Sequence, residues 1–330
     1  MAQDQEQRLG TLLARFNEPV IPEDSLQRWL RQFASGDHGI ALRLLECIEF
    51  HGYRRLQAEC RQLHHQLMAD LGARGFDTEH YRDIDFSRAF IGKSGDLISY
   101  LYRRANRIPV TAFHSIEALQ ERRASLGERA LVILDDYIGT GSQFLLQFLA
   151  RSPGDIALLN AYAVFRVGAI AVHDDARHKQ QLLAQGDIDA LMAIEEQELA
   201  CIDFSHDRQQ LLEALASVEW DSGGLEAVAR DFPVNQHPSL NEDERQQLND
   251  FLQRSGAVAF ESVTGFLLGH HTFFYGAPNA LPQLLLPLFR RVEDFTSYDT
   301  SVQQGLPCDI IDYDIANPEP ITRLYPRQPG

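Results

Sequence analysis

The stretch Leu131-Val132-Ile133-Leu134-Asp135-Asp136-Tyr137-Ile138-Gly139-Thr140-Gly141-Ser142-Gln143 constrains the fold more than any other part of this 330-residue chain. Four consecutive apolar residues predict a strand buried on both faces, and such strands occur almost only in parallel sheets covered by helices. A Gly-Thr-Gly-Ser turn follows, and residues 144–151 are apolar enough to form the next helix. In open α/β sheets ligands bind at the carboxyl ends of the strands, where this turn lies. Its small residues let an anion approach the backbone, successive N–H groups can turn inward, and the following helix adds its positive end. Thr140 and Ser142 offer hydroxyl donors. The carboxylates of Asp135 and Asp136 cannot bind phosphate and need another partner. A ribose diol fits, because each of its hydroxyls donates one hydrogen bond. The combination predicts a ribose 5-phosphate site, with an ordinary strand-to-helix turn as the alternative.

The surrounding residues repeat the alternation. Strand-like runs at 86–92, 130–134, 156–165 and 199–204 alternate with helical runs at 97–106, 144–151 and 175–185, which predicts an α/β fold with a parallel sheet flanked by helices. Upstream, residues 25–33 form a short amphipathic helix, and a longer helical stretch follows the Ser35-Gly36-Asp37 break. From Tyr53, the apolar residues Leu56, Cys60, Leu63, Leu67 and Leu71 share one helix face, and Gly72 and Gly75 end that helix. Beyond about residue 207 the alternation fades. Ser239 and Glu242 have capping-box spacing behind Pro238 and open a helix to about residue 254. Residues 265–274 are apolar and aromatic, and the tail from residue 296 reads as irregular. Three segments follow: a helical leader over 1–75, an α/β core over 76–215, and a C-terminal extension over 216–330.

Charge narrows the partners. The net charge is −17, yet residues 1–125 hold 17 basic and 17 acidic side chains, while 126–330 hold 13 basic and 30 acidic. An acidic surface repels phosphate backbones, which argues against nonspecific nucleic-acid binding by the second part. Only two of the basic residues are lysines, Lys93 and Lys179. The four cysteines have no metal-ligand spacing, no apolar run reaches the roughly 20 residues of a membrane span, and the N-terminus lacks a secretory layout. The expected location is the cytoplasm, without a membrane partner. The His64-His65 and His270-His271 pairs have no acid or cysteine at ligand spacing, so they read as solvated or core histidines.

The segment 131–143 resembles the phosphoribosyl-pyrophosphate (PRPP) loop of type I phosphoribosyltransferases: apolar residues, two acids, then a Thr-Gly-small cluster. Gln143 departs from it, since those enzymes generally have threonine there. Gly92-Lys93-Ser94-Gly95-Asp96, about 40 residues upstream, resembles the pyrophosphate loop of the same enzymes. The resemblance implies that Asp135 and Asp136 hold the ribose diol, directly or through Mg2+, as the catalytic and metal-binding acids. Gly139, Thr140, Gly141, Ser142 and Gln143 then hold the 5′-phosphate, and Lys93, Ser94 and Gly95 the departing pyrophosphate. The chemistry implied is displacement of pyrophosphate at the anomeric carbon.

The longer layout resembles the phosphoribosyltransferase-like family assigned to bacterial conflict systems, through residues 25–71, the acid-pair loop, and 272–281 with Pro278-Asn279. That implies an effector of antiphage, retron-type defence acting on nucleotides or nucleic acid. A protein or ribonucleoprotein partner such as a reverse transcriptase complex, or a second copy of the chain, goes with it. Two alternatives stay open: a PRPP- or nucleotide-sensing module without turnover, and an assembly subunit that keeps only the fold.

Overall fold

A computed structural model describes residues 2–16, 23–89, 94–122, 126–142, 153–198, 213, 224–255, 268–275, 282–285 and 288. The elements are α1 (Ala2–Arg15), α2 (Glu23–Leu30), α3 (His38–Glu46), β1 (Glu49–His51), α4 (Tyr53–Ala73), β2 (Ile84–Arg88) and α5 (Ser94–Asn106). They continue with α6 (Ile116–Glu121), β3 (Ala130–Ile138), α7 (Pro153–Leu159), β4 (Val164–His173), α8 (Asp174–Gln185) and α9 (Ile188–Glu198). The last are β5 (Leu225–Asp231), α10 (Glu242–Arg254) and β6 (His271–Phe273). The chain forms two compact units. One contains the described residues up to Leu56 and from Asp231 onward; the other runs from Gln57 to Arg230.

The second unit is a sheet between helical layers, in strand order β2-β3-β4-β5, with β2, β3 and β4 mutually parallel. Alternation along the strands sorts their side chains between the two faces. Leu131, Ile133, Phe165, Val167 and Ala169 join Leu119, Leu158, Leu159, Leu182, Leu183 and Leu191 of the α6–α9 layer in one buried cluster. On the other face α4 lies so close that a Cβ on Gly168 would stand 2.9 Å from Leu67 Cδ1 and 3.3 Å from Leu134 Cδ2. Glycine at that position sets the spacing between helix and sheet. Leu56, Cys60, Leu63, Leu67 and Leu71, the stripe anticipated from the 3–4 spacing, are all buried. Phe76 N–H closes the end of α4 on the Leu71 carbonyl after Gly75, at φ +92, reverses the chain.

The amino ends of the strands carry a buried polar knot. Asp85 of β2, fully buried, accepts from Arg129 Nε at 2.8 Å, Arg129 Nη2 at 2.7 Å and the Tyr162 hydroxyl at 3.0 Å, with His114 Nε2 3.3 Å away. Burial alone would raise the Asp85 carboxyl, but hydrogen bonds from His114 and Arg129 outweigh it and hold it well below the ordinary carboxylate range. A buried cation, Arg166 of β4, reaches Asp70 of α4 at 2.8 Å and ties that helix to the sheet.

In the first unit β1 and β6 pair in parallel, with Glu49 opposite His271 and His51 opposite Phe273. Helix α10 opens on a capping box formed by Asn241 and Glu244, two residues later than the Ser239–Glu242 reading. Both sets fit the spacing. Ser239 is engaged elsewhere, its hydroxyl 2.7 Å from His237 Nδ1, which leaves Asn241 to cap the helix. Residues 156–165, expected as a strand, divide between the end of α7 and the start of β4. An apolar run of that length suits either state; Pro153 at the first helical position is the signal that decides it. The anticipated strand at 199–204, the helix at 144–151, the Pro278-Asn279 motif and the tail from 296 lie outside the described residues.

Candidate functional site at the carboxyl ends of β2 and β3

Strand β3 runs four residues further than its apolar core, so Asp135 and Asp136 lie inside the strand rather than after it. Asp135 stands opposite Ala169 of β4, and both acids are buried, at 6% and 4% exposure. Successive strand positions point to opposite faces, so the two carboxylates leave the backbone in different directions. Asp135 Oδ1 accepts from the Asp136 backbone N–H at 2.9 Å, which folds that carboxylate back along the chain.

The loop after Ile138 is shaped by small residues and hydroxyls. Gly141 has φ +82, a conformation that glycine adopts without steric cost. A Cβ there would come within 3.1 Å of Ala176 Cβ and 3.2 Å of Ala176 Cα, so Gly141 and Ala176 together let the loop press onto α8. The Ser142 N–H donates to Thr140 Oγ1 at 3.3 Å, a local turn that aligns both hydroxyls. One helical turn beyond Ala176, Lys179 donates through Nζ to Ser142 Oγ at 2.5 Å. Lys179 is 1% exposed, so its side chain is buried directly behind the loop.

The sheet register brings the second loop alongside. Arg88, the last residue of β2, is opposite Leu134, and the Ala89 N–H donates to the Leu134 carbonyl at 3.0 Å. The chain therefore leaves β2 directly beside the acid pair, and Ser94 is the first residue of α5, with Gly95 buried next to it. Arg88 pairs with Asp96 in the first turn of α5 at 2.8 Å. Lys93 and Gln143 lie outside the described residues. Of the residues singled out in the sequence, Asp135, Asp136, Gly139, Thr140, Gly141, Ser142, Ser94 and Gly95 thus fall at neighbouring strand ends. Lys179 is the residue beside this loop that sequence reasoning did not place there. Its rarity in an arginine-rich chain was visible, but its place opposite Ser142, 37 residues away, depends on how α8 packs on the sheet.

Comparison with known families decides the relationship: the model of the family described as PRTase-CE matches residues 26–285, most of the chain. This protein belongs to the PRTase-CE family. It is phosphoribosyltransferase-like, and the sheet flanked by helices is the fold expected of that group. No curated protein and no solved structure matches the chain. For this PRTase-CE protein the match covers the acid pair, the glycine loop and Lys179. No helix among the described residues is long and apolar enough to cross a membrane.

Proposed function

We propose that this PRTase-CE protein binds PRPP, or a nucleotide with the same ribose 5-phosphate group, at the carboxyl ends of β2 and β3. The observation that carries the reading is the buried Nζ of Lys179 held against Ser142 behind a glycine-rich turn. A lysine Nζ packed against a glycine-rich loop adds a donor to a pocket whose backbone N–H groups suit an anion. Lys179 acts through Ser142: its Nζ donates to the serine oxygen, and on ligand binding the serine O–H donates onward to the 5′-phosphate. Residues 139–143 supply the rest of the phosphate pocket. Asp135 and Asp136 take the ribose hydroxyls, and Lys93, Ser94 and Gly95 take the pyrophosphate.

A carboxylate is the oxygen donor that a hard divalent cation prefers, so Asp135 or Asp136, together with pyrophosphate oxygens, would hold Mg2+. When bound, the ion would neutralise pyrophosphate charge. In a transfer reaction the bond from the anomeric carbon to pyrophosphate breaks with its electron pair leaving on the pyrophosphate oxygen. An acceptor forms the new bond and gives up its proton. Positive charge builds on the ribose ring meanwhile, and the buried Asp135 and Asp136 carboxylates stabilise it. In the cell the fitting role is that of an effector in retron-type antiphage defence, working with a reverse transcriptase complex or with a second copy of the chain. Gln143 favours one other reading, a nucleotide sensor without turnover, because the threonine hydroxyl usual at that position is missing.

Calorimetric titration of the full chain with PRPP and Mg2+ tests the proposal. The wild type should bind, and Asp135→Asn/Asp136→Asn should bind at least about 100-fold more weakly, given roughly 1.5–3 kcal/mol for each hydrogen bond to a charged group. No binding by folded wild type would overturn the assignment. Binding with no release of pyrophosphate in the presence of candidate acceptors would select the sensor.

A further inference from the structure

The first unit holds a second cluster, far in sequence from the phosphate loop. His51 ends β1, Asp231 ends β5, His270 precedes β6 and His271 begins it; all four are at most 3% exposed. One ligand atom from each of Asp231, His270 and His271 can be chosen so that all three lie within 4.8 Å of one another. Asp231 Oδ1 stands 2.5 Å from His270 Nδ1 and 4.0 Å from His271 Nε2. The same oxygen accepts the backbone N–H groups of Phe232 at 2.9 Å and His270 at 3.0 Å, which fixes the carboxylate in place.

The histidines are oriented as well as close. His271 presents Nδ1 to His51 Nε2 at 2.7 Å, which turns its other nitrogen, Nε2, toward Asp231. His51 is itself clamped between rings: it stacks on His271 at 5.0 Å between centroids and on Phe273 at 4.7 Å. Neighbouring residues of a strand point to opposite faces, so two consecutive histidines converge only where the backbone turns. It turns just ahead of them. Leu268 has φ 51, rare for a branched side chain, and its carbonyl accepts the Val234 N–H at 2.6 Å. The ring of Phe232, 4.3 Å from that of His270, covers the cluster with an apolar wall.

We infer that Asp231, His270 and His271 form a binding site for one divalent transition-metal ion of the zinc class, with His51 as the residue that orients His271. Two imidazoles and a carboxylate are a donor set such ions take, and three protein ligands leave a coordination position for a further group. A ligating histidine normally has its second ring nitrogen hydrogen-bonded, and the His271–His51 contact supplies that partner. A metal ion also offsets the cost of holding three imidazoles and a carboxylate away from water. The paired histidines gave no such signal in the sequence because their acidic partner lies 39 residues upstream.

The test uses the full chain stripped by chelator dialysis and titrated with Zn2+ and, separately, Co2+. The expected result is one ion per chain, a Co2+ visible absorption band from nitrogen and oxygen ligands, and Zn2+ protection against thermal unfolding. Asp231→Asn and His271→Asn should abolish the band, and His51→Gln should weaken binding about 10- to 100-fold. A folded wild type that takes up no Zn2+ below about 1 mM would overturn the inference. So would an absorption band that survives in Asp231→Asn, His270→Asn and His271→Asn alike. If those variants do not fold, edge-structure X-ray absorption of wild type with Zn2+ decides: histidine nitrogens around the metal support the site, and ligation without them overturns it.

Discussion

The two ends of the parallel sheet hold buried carboxylates in opposite circumstances. At the amino ends Asp85 is saturated, with a bidentate arginine, a tyrosine hydroxyl and a histidine around one carboxyl group. At the carboxyl ends Asp135 and Asp136 lead into the Gly139–Ser142 turn, where Lys179 donates to the loop hydroxyl of Ser142. The first arrangement is closed on itself, as suits a group whose task is to hold β2, β3 and the start of β4 together. The second is assembled around small residues and a lysine directed at a loop, the arrangement that the proposed ligand site uses. On the proposed function, one fold separates its structural charge from its recognition charge by the length of a strand.

The sharpest way to break this comparison is to exchange the expected effects. Asp85→Ala removes the buried carboxylate that Arg129 and the Tyr162 hydroxyl bind and should cost about 3–5 kcal/mol in urea unfolding, while the refolded fraction binds PRPP as before. Asp135→Asn/Asp136→Asn should do the reverse, losing PRPP affinity with a stability change within about 1 kcal/mol. Gly141→Ala adds a side chain where φ is +82 and Ala176 lies 3.1 Å away, so it should cost about 1–3 kcal/mol and weaken PRPP binding as well. Lys179→Met, close in volume, should weaken PRPP binding about tenfold to a hundredfold, the value of a hydrogen bond to a charged group. If Lys179→Met instead unfolds the protein and leaves residual affinity intact, the lysine belongs with Asp85 as a structural group.

A pH series sharpens the amino-end half. Asp85 has a lowered carboxyl pKa in the folded state, so its stabilising contribution is complete above the unfolded value near 4 and is lost as pH falls below it. His64 sits between the Tyr81 and Tyr102 hydroxyls, and burial, aided by His65, lowers it to about 4. Its unfolded form takes up a proton near pH 6.5, so stability should start to fall as pH drops below that value and level off for this group near 4. Thermal melts of wild type and His64→Gln across pH 4–8 check it: the variant should lose the part of the slope between 6.5 and 4.

How much of this could be read from the sequence follows physical lines. The β3 strand, the glycine turn and the α4 stripe were legible because each is local: an apolar run, a φ-positive glycine, a 3–4 spacing. The extent of β3 through Asp136 was not, since acids normally end a buried strand, and here the β4 ladder carries them onward to Ile138. Residues 156–165 misled because a short apolar run fits helix and strand equally. Asp85, Lys179 and the Asp231–His270–His271 group were invisible for a different reason. Each depends on a partner 37 to 77 residues away, and no spacing rule reaches that far.

The most direct test of the central claim is phosphorus NMR of ribose 5-phosphate with the full chain, because that ligand presents the sugar and phosphate without the pyrophosphate. Wild type should shift and broaden the phosphate resonance, and both Asp135→Asn/Asp136→Asn and Lys179→Met should reduce the effect while Asp85→Asn leaves it unchanged. A resonance that folded wild type does not perturb, or that all of these variants perturb equally, would contradict the assignment of the carboxyl-end site.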